Sequence, residues 1–186
     1  MDRLHVTAMQ PRTRLDGDAL FEYAVRALAA RSCSSEELRT RLRRRAQKIA
    51  DIDPVISRLR EIGYLNDERF AEMYTTLRVE GGGFGRARVL SDLRARRIAP
   101  PLAEKAVARA FAGKDEPAMI AAWIERRMPS VAAGKHTGDE RQLAAAWRKL
   151  RRAGFSSGAI LTELRRFAAH PELLEDPPAD DEPAET

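Results

Sequence analysis

Apolar residues recur along this chain at intervals of three and four, interrupted by short polar or glycine-bearing stretches. That is the period of helices with one buried face. Phe21, Ala24, Val25 and Leu28 share a face in the first such segment, and Asp18 is placed as its N-cap. Ser34-Ser35-Glu36-Glu37 reads as a capping box, in which the Ser34 hydroxyl accepts from an otherwise unpaired N–H and Glu37 reaches back. Leu38 and Leu42 then mark the inner stripe of a second helix. Asp53-Pro54 opens a third, with Asp53 as N-cap and Pro54 where its missing N–H costs nothing. Val55, Ile56, Leu59 and Ile62 follow, and Gly63 stands where a left-handed residue closes a helix.

The pattern then repeats. Asn66-Asp67-Glu68 caps a helix with Phe70, Met73, Tyr74 and Leu77 on one face. EGGGFG at 80–85 breaks it, a helix from about Gly85 carries Val89, Leu90 and Leu93, and Pro100-Pro101 opens another with Leu102, Val107, Ala110 and Phe111. A third round starts at Asp115-Glu116-Pro117 with Ile120, Trp123 and Ile124, passes through the looser MPSVAAGKHTG, and resumes at a Thr137-x-x-Glu140 capping box. Leu143, Trp147 and Leu150 form the next stripe. Gly154-Phe155-Ser156 turns into a last helix with Ile160, Leu161, Leu164 and Phe167, ended by His170-Pro171. No segment shows the sustained alternation of a strand.

Equivalent apolar positions lie about fifty residues apart: Phe21, Phe70 and Ile120, and again Leu42, Leu93 and Leu150. The expected fold is all-α, an elongated tandem array of three three-helix repeats, because small units of this length gain stability by sharing a core with neighbours. The division predicted is a flexible leader at 1–17, repeats at 18–65, 66–113 and 114–170, and an acidic disordered tail at 171–186. A single compact helical bundle is the alternative. A monomer is the default for such an array.

The EGGGFGRARV stretch at 80–89 suggests a phosphate cradle. A P-loop, however, follows a strand and supplies Lys and Ser or Thr, which this stretch lacks, and no βαβ unit surrounds it for a dinucleotide site. The glycines therefore read first as a sharp chain reversal. Two readings stay open: a turn alone, or a turn whose following helix start, beside Arg86 and Arg88, receives a phosphate.

Charge adds a partner class. The 186 residues carry a net charge of +5. The last sixteen hold seven acids and no Lys or Arg, and without those seven negative charges residues 1–170 stand at +12. A body that basic suits a polyanion such as nucleic acid or a nucleoprotein. Cys33 is the only cysteine, so no internal disulfide can form and a reducing, cytoplasmic setting fits. No run reaches the apolar length of a membrane helix, and the start has no signal-like apolar core. His5, His136 and His170 have no partners at metal-ligand spacing, and the carboxylates sit mostly in first turns, where the helix dipole favours them. No catalytic set, metal site or cofactor site is expected.

The cations concentrate on the middle helices. On a wheel, Leu38 and Leu42 point inward, Arg43 and Arg44 outward, and Arg39, Arg41 and Arg45 lie on the flanks. Leu90 and Leu93 point in while Arg88 and Arg94 point out, with Arg96 and Arg97 near the end. Trp147 and Leu150 point in while Arg148, Lys149 and Arg152 point out. The candidate binding set is Arg39, Arg43, Arg44, Arg86, Arg88, Arg94, Arg97, Arg148, Lys149 and Arg152. Arginine dominates, which suits bidentate contact to phosphate or carboxylate. Trp123 and Trp147 fall on apolar stripes and read as core.

These stretches resemble the RecX family, bacterial regulators of the RecA recombinase. The likeness runs from about Ala19 to Phe167. Its most specific piece is IGYLNDERFAEMY at 62–74, supported by YAVRALAARSCSSEELRTRL at 23–42, GFGRARVLSDLRARRI at 84–98 and LRRAGFSSGAI at 150–160. The chain departs from the family in Asn66 where Asp is usual, in an Ala-rich start to the third repeat, and in the acidic tail. The resemblance implies tandem three-helix repeats and a non-enzymatic modulator. It implies a protein that lies in the groove of the RecA–DNA filament and restrains filament growth, ATP hydrolysis, strand exchange and LexA cleavage. It brings no compact catalytic motif.

Overall fold

A computed structural model describes residues 14–132 and 140–167, and all regular structure among them is helical apart from a single bridge in which Leu15 pairs with Ala46. The chain divides into two compact units, one ending at Phe70 and the other starting at Ala71, so the boundary falls within a helix.

The first unit packs α1 (Gly17–Ala30), α2 (Ser35–Arg43) and α3 (Ile52–Glu61) mutually around Leu20, Ala24, Leu38, Leu42, Ile52, Val55, Ile56 and Leu59. Cys33 is buried in the same core. Burying each large aliphatic side chain contributes about 1.5–3 kcal/mol, so this stripe is the main stabilising term. The Ser34 capping box forms as expected: Glu37 N–H donates to Ser34 Oγ at 3.1 Å, and Ser34 N–H donates to the Glu37 carboxylate at 3.2 Å. Ser35 N–H donates to Asp67 at 2.7 Å, which ties the start of α2 to the start of α4 (Asp67–Thr76). Asn66 caps α4 by accepting from Arg69 N–H at 2.9 Å.

Two caps differ from expectation. The N-cap of α1 is Asp16, whose carboxylate accepts from Ala19 N–H at 3.0 Å, while Asp18 lies inside the first turn. A 3-10 turn at Ile49–Asp51 feeds α3 one residue before Asp53, and the Asp53 carboxylate is engaged by Arg39 rather than by the helix start.

The second unit continues from α4 through a π-type turn at Leu77–Gly81 into α5 (Arg86–Ala95) and α6 (Pro100–Ala110), which pack together. The buried stripe before the loop is Ala71, Thr75 and Val79, whereas the predicted Met73 and Leu77 are 45% and 64% exposed. In α5 the fully buried positions are Val89 and Leu93, and Leu90 is half-buried. Next come α7 (Glu116–Arg127), the short α8 (Pro129–Ala132), α9 (Glu140–Arg152) and α10 (Ser157–Phe167). Ile120, Trp123, Ile124, Ala146, Trp147, Leu150, Phe155, Ile160 and Leu164 form their shared core. Both tryptophans are therefore interior, as their stripes predict. Thr137, on which the Thr137–Glu140 capping box depends, the three histidines, the 1–13 part of the leader and the acidic tail lie outside the described residues.

Three helices end alike. After α3, α5 and α9 the chain closes with a bond from the residue beyond the left-handed position back into the last turn: Tyr64 N–H to Leu59 O at 2.9 Å, Ile98 N–H to Leu93 O at 3.1 Å, and Phe155 N–H to Leu150 O at 3.3 Å. The left-handed residues are Gly63 (φ 75°), Arg97 (φ 58°) and Gly154 (φ 89°). Two are glycine, for which this geometry carries no steric cost, and the third is an arginine.

Candidate functional site

The predicted cations divide by what they touch. In the first unit Arg39 is held internally. Its guanidinium donates to Asp53 at 2.7 Å and also pairs with Glu36, and its side chain is only 22% exposed. The bond to Asp53 first, then Glu36, raises its pKa above the ordinary arginine value against the opposing effect of burial. Arg39, expected on the flank of α2 and in the candidate binding set, is thus a clamp between α2 and α3. Arg43 and Arg44, at the end of α2, are exposed and form no ion pair among the described residues. Arg45 lies over the Tyr23 ring at 5.3 Å.

In the second unit the glycine loop is the organising feature. Gly85 N–H donates to Ala153 O at 2.8 Å and Ala87 N–H to Gly154 O at 3.2 Å. A Cβ on Gly85 would overlap the Gly154 carbonyl, and a Cβ on Gly154 would overlap the backbone of Arg88. The start of α5 is therefore seated on the turn that ends α9. Two of the amides at this helix start, those of Gly85 and Ala87, are taken up by the chain's own carbonyls, which favours the turn reading at those two positions. Gly83 (φ 59°) lies against Arg126 and the Trp123 ring of α7. Arg127 reaches over both Phe84 and Trp123, at 5.4 and 5.5 Å, and Arg78 lies 4.2 Å over the Phe84 ring. Gly83 and Gly85 are thus packing positions, whereas a Cβ on Gly81 would meet nothing within 4 Å.

The side chains around this seam remain basic. Arg86 is exposed, with its guanidinium 5.1 Å from the Phe111 ring centroid. Arg88 donates to Asp92 at 3.0 Å and stays 46% exposed on its side chain. Asp92, 15% exposed, also accepts from Arg78 Nε at 2.8 Å and from the Tyr74 hydroxyl at 3.4 Å. Arg94 and Arg97 are exposed at the end of α5, and Arg148, Lys149 and Arg152 are exposed on the last turns of α9. Lys149 joins Arg127, Ser130 and Gln142 around a 240 Å³ cavity. Sequence reasoning missed Asp92 and Arg78. Arg88 and Asp92 are one helical turn apart, a spacing visible in the sequence, but the Arg78 contact spans fourteen residues and the glycine loop.

Among the described residues no cluster of histidine, cysteine and carboxylates is arranged to hold a metal, and no helix is long and apolar enough to cross a membrane.

The described residues thus form an all-α protein with exposed arginines on several helices. Residues 66–107 match the family model described as the second three-helix domain of RecX. The regulatory protein RecX of Deinococcus radiodurans is 32% identical over 160 residues, covering 86% of this chain and 74% of that protein. That of Syntrophotalea carbinolica is 31% identical over 152 residues, covering 82% of this chain and 95% of its own. The crystal structure of RecX from Lactobacillus salivarius superposes with a TM-score of 0.66 at 18% identity, over 81% of this chain and 96% of that one, a likeness of fold. The chain belongs to the RecX family of regulatory proteins.

Proposed function

We propose that this chain regulates the RecA recombinase without catalysing a reaction, by binding the RecA filament on DNA and restraining its extension, ATP hydrolysis, strand exchange and LexA cleavage. The observation that carries the reading is family membership over most of the chain's length, together with exposed arginines on helices of both units: Arg43 and Arg44 in one, Arg94, Arg148 and Arg152 in the other. Several modest contacts made at once by one chain multiply through effective concentration, so no single deep pocket is required. Preference for one filament state then shifts the assembly equilibrium by the difference in affinity. The division into repeats at 18–65, 66–113 and 114–170 belongs to the same proposal and is supported by the match of 66–107 to a second three-helix domain. A cytoplasmic monomer is part of it too.

The test is recombinase ATPase and strand exchange with stoichiometric purified protein. Restraint of both is expected. No effect together with no binding to the filament refutes the proposal. Charge reversal at Arg43, Arg44, Arg94 and Arg148 together is expected to weaken filament binding while helicity by circular dichroism persists. The +12 charge of residues 1–170 favours a second reading, a general DNA-binding protein acting through phosphate contacts. That reading requires tight binding to naked DNA with a steep salt dependence and no added preference for a recombinase-coated strand.

A further inference from the structure

We propose that the basic cavity between α8 and α9 receives this chain's own acidic segment Glu172–Asp176, presented from the end of α10. The proposal concerns contact within one chain and does not rest on the regulatory reading. The 240 Å³ cavity takes Arg127 from the end of α7, Lys149 from α9, and Ser130 and Gln142 as further polar groups; the buried Met128 and Val131 belong to its apolar lining. No acid is among the described residues that line it. Arg127 and Lys149 are exposed and form no ion pair among the described residues. Arg127 is set against the Phe84 and Trp123 rings, at 5.4 and 5.5 Å. Stacking of that kind holds a guanidinium in place and leaves its in-plane N–H groups for a carboxylate.

The tail issues at the right end of the bundle. Ser156, just before α10, donates to Glu116 from its N–H at 2.9 Å and from its hydroxyl at 2.7 Å, and Glu116 is the first residue of α7. α7 and α10 have twelve and eleven residues and pack on each other. Starting together and nearly equal in length, they finish together, so the chain leaves α10 on the side of Arg127, where the cavity lies. Four residues separate Phe167 from Glu172. That stretch spans up to about 17 Å, against roughly 8–10 Å between neighbouring helix axes, so the segment reaches the cavity. Its composition fits as well. Glu172-Leu173-Leu174-Glu175-Asp176 sets two leucines between acids, as the cavity combines Met128 and Val131 with Arg127 and Lys149. The later acids Asp180, Asp181 and Glu182 have no leucine beside them. Tethering selects this occupant over a free acidic peptide, because a short linker holds the segment at an effective concentration of about millimolar. Seated there, it occupies Lys149, one of the candidate binding cations, and acts as a built-in competitor for external polyanions.

The full chain is digested with a glutamyl endopeptidase, and cleavage after Glu172 and Glu175 is timed by mass spectrometry. Lys149→Gln, alone and combined with Arg127→Gln, is expected to be cut there about fivefold faster than wild type, because cleavage follows the undocked population. Lys149→Arg is expected to match wild type, and about 0.5 M salt to erase the differences. Slow cleavage after the buried Glu163 certifies the fold, and where the double variant loses it, Lys149→Gln alone decides. Amide proton–nitrogen spectra then compare wild type with Glu172→Gln, Glu175→Gln, Asp176→Asn and with the equally charged control Asp180→Asn, Asp181→Asn, Glu182→Gln. The first set is expected to move the Ser130, Val131 and Lys149 signals and the control to leave them in place. Equal cleavage of wild type and Lys149→Gln overturns the proposal, as do equal shifts from the two tail variants. Shifts that grow with protein concentration overturn it too, since they assign the segment to a second molecule. None of these assays contains the recombinase, so their failure leaves the regulatory proposal standing.

Discussion

Replacing Gly154 with alanine measures the seam directly, because the same substitution at Gly113 is an internal standard. Both glycines lie in the second unit at positive φ, 89° and 69°, so both variants incur the left-handed penalty of an L-residue, about 1–2 kcal/mol. A Cβ at Gly113 meets nothing within 4 Å, and the penalty ends there. At Gly154 the Cβ runs into the backbone N and Cα of Arg88, atoms that cannot swing aside as the tip of a long side chain can. Relief requires the α9–α10 turn to retreat. That loosens the bonds from Gly85 N–H and Ala87 N–H, each worth about 0.5–1.5 kcal/mol, and disturbs Phe155, which is 1% exposed. The expected destabilisation is roughly 3–5 kcal/mol for Gly154→Ala against about 1–2 kcal/mol for Gly113→Ala. The chain's two tryptophans, Trp123 and Trp147, are both buried in the second unit, so guanidinium unfolding followed by tryptophan emission reports on that unit alone. The comparison uses transition midpoints at constant slope. If Gly154→Ala falls within about 0.5 kcal/mol of Gly113→Ala, near the scatter of such measurements, the seam is not the tight joint described here.

Three further outcomes are expected. Ser34→Ala removes a capping box from a fully buried serine and lowers the melting transition of the first unit, followed by far-UV circular dichroism, by about 1–2 kcal/mol. Arg39→Ala breaks pairs with Asp53, whose side chain is 78% exposed, and with Glu36; the stability loss stays under about 1 kcal/mol. Because that guanidinium is already held, oligonucleotide affinity falls no more than in Arg31→Ala, and a larger fall would return Arg39 to the binding surface. Arg97→Gly relieves the left-handed arginine and raises stability against guanidinium by about 1 kcal/mol, read from the midpoint at constant slope. A variant no more stable than the parent chain would refute this.

Local signals carried most of the fold. The Ser34 box, the Asn66 cap, the prolines opening α6 and the glycines ending α3 and α9 all act within four residues, and a sequence displays such relations plainly. Leu42, Leu93 and Leu150 are each fully buried because period alone places them inward. The errors fall where a competing contact lies farther off. Asp53 has the credentials of a cap, but Arg39 from the preceding helix takes its carboxylate. Met73 and Leu77 carry the apolar character of a core stripe, yet the helix is rotated toward Ala71, Thr75 and Val79, and the small residues go inside. The outward arginines were legible as a list; which of them are held by carboxylates was not.

The glycine loop shows why. Phosphate cradles and helix-to-turn joints make the same local demand: backbone amides at a helix start must meet an oxygen, and no Cβ can stand in the way. The sequence states the demand and leaves the oxygen unnamed. Here the oxygens are Ala153 O and Gly154 O, and the matching demand for a bare Cα sits at Gly154, sixty-nine positions after Gly85. Two glycines that need each other cannot be paired from one chain's periodicity, although each marks its own turn. With the Gly85 and Ala87 amides occupied, an anion bound at this region is met mainly by guanidinium groups. Affinity should then track the number of exposed arginines at the seam and be insensitive to substitutions confined to Gly81, where a Cβ meets nothing within 4 Å.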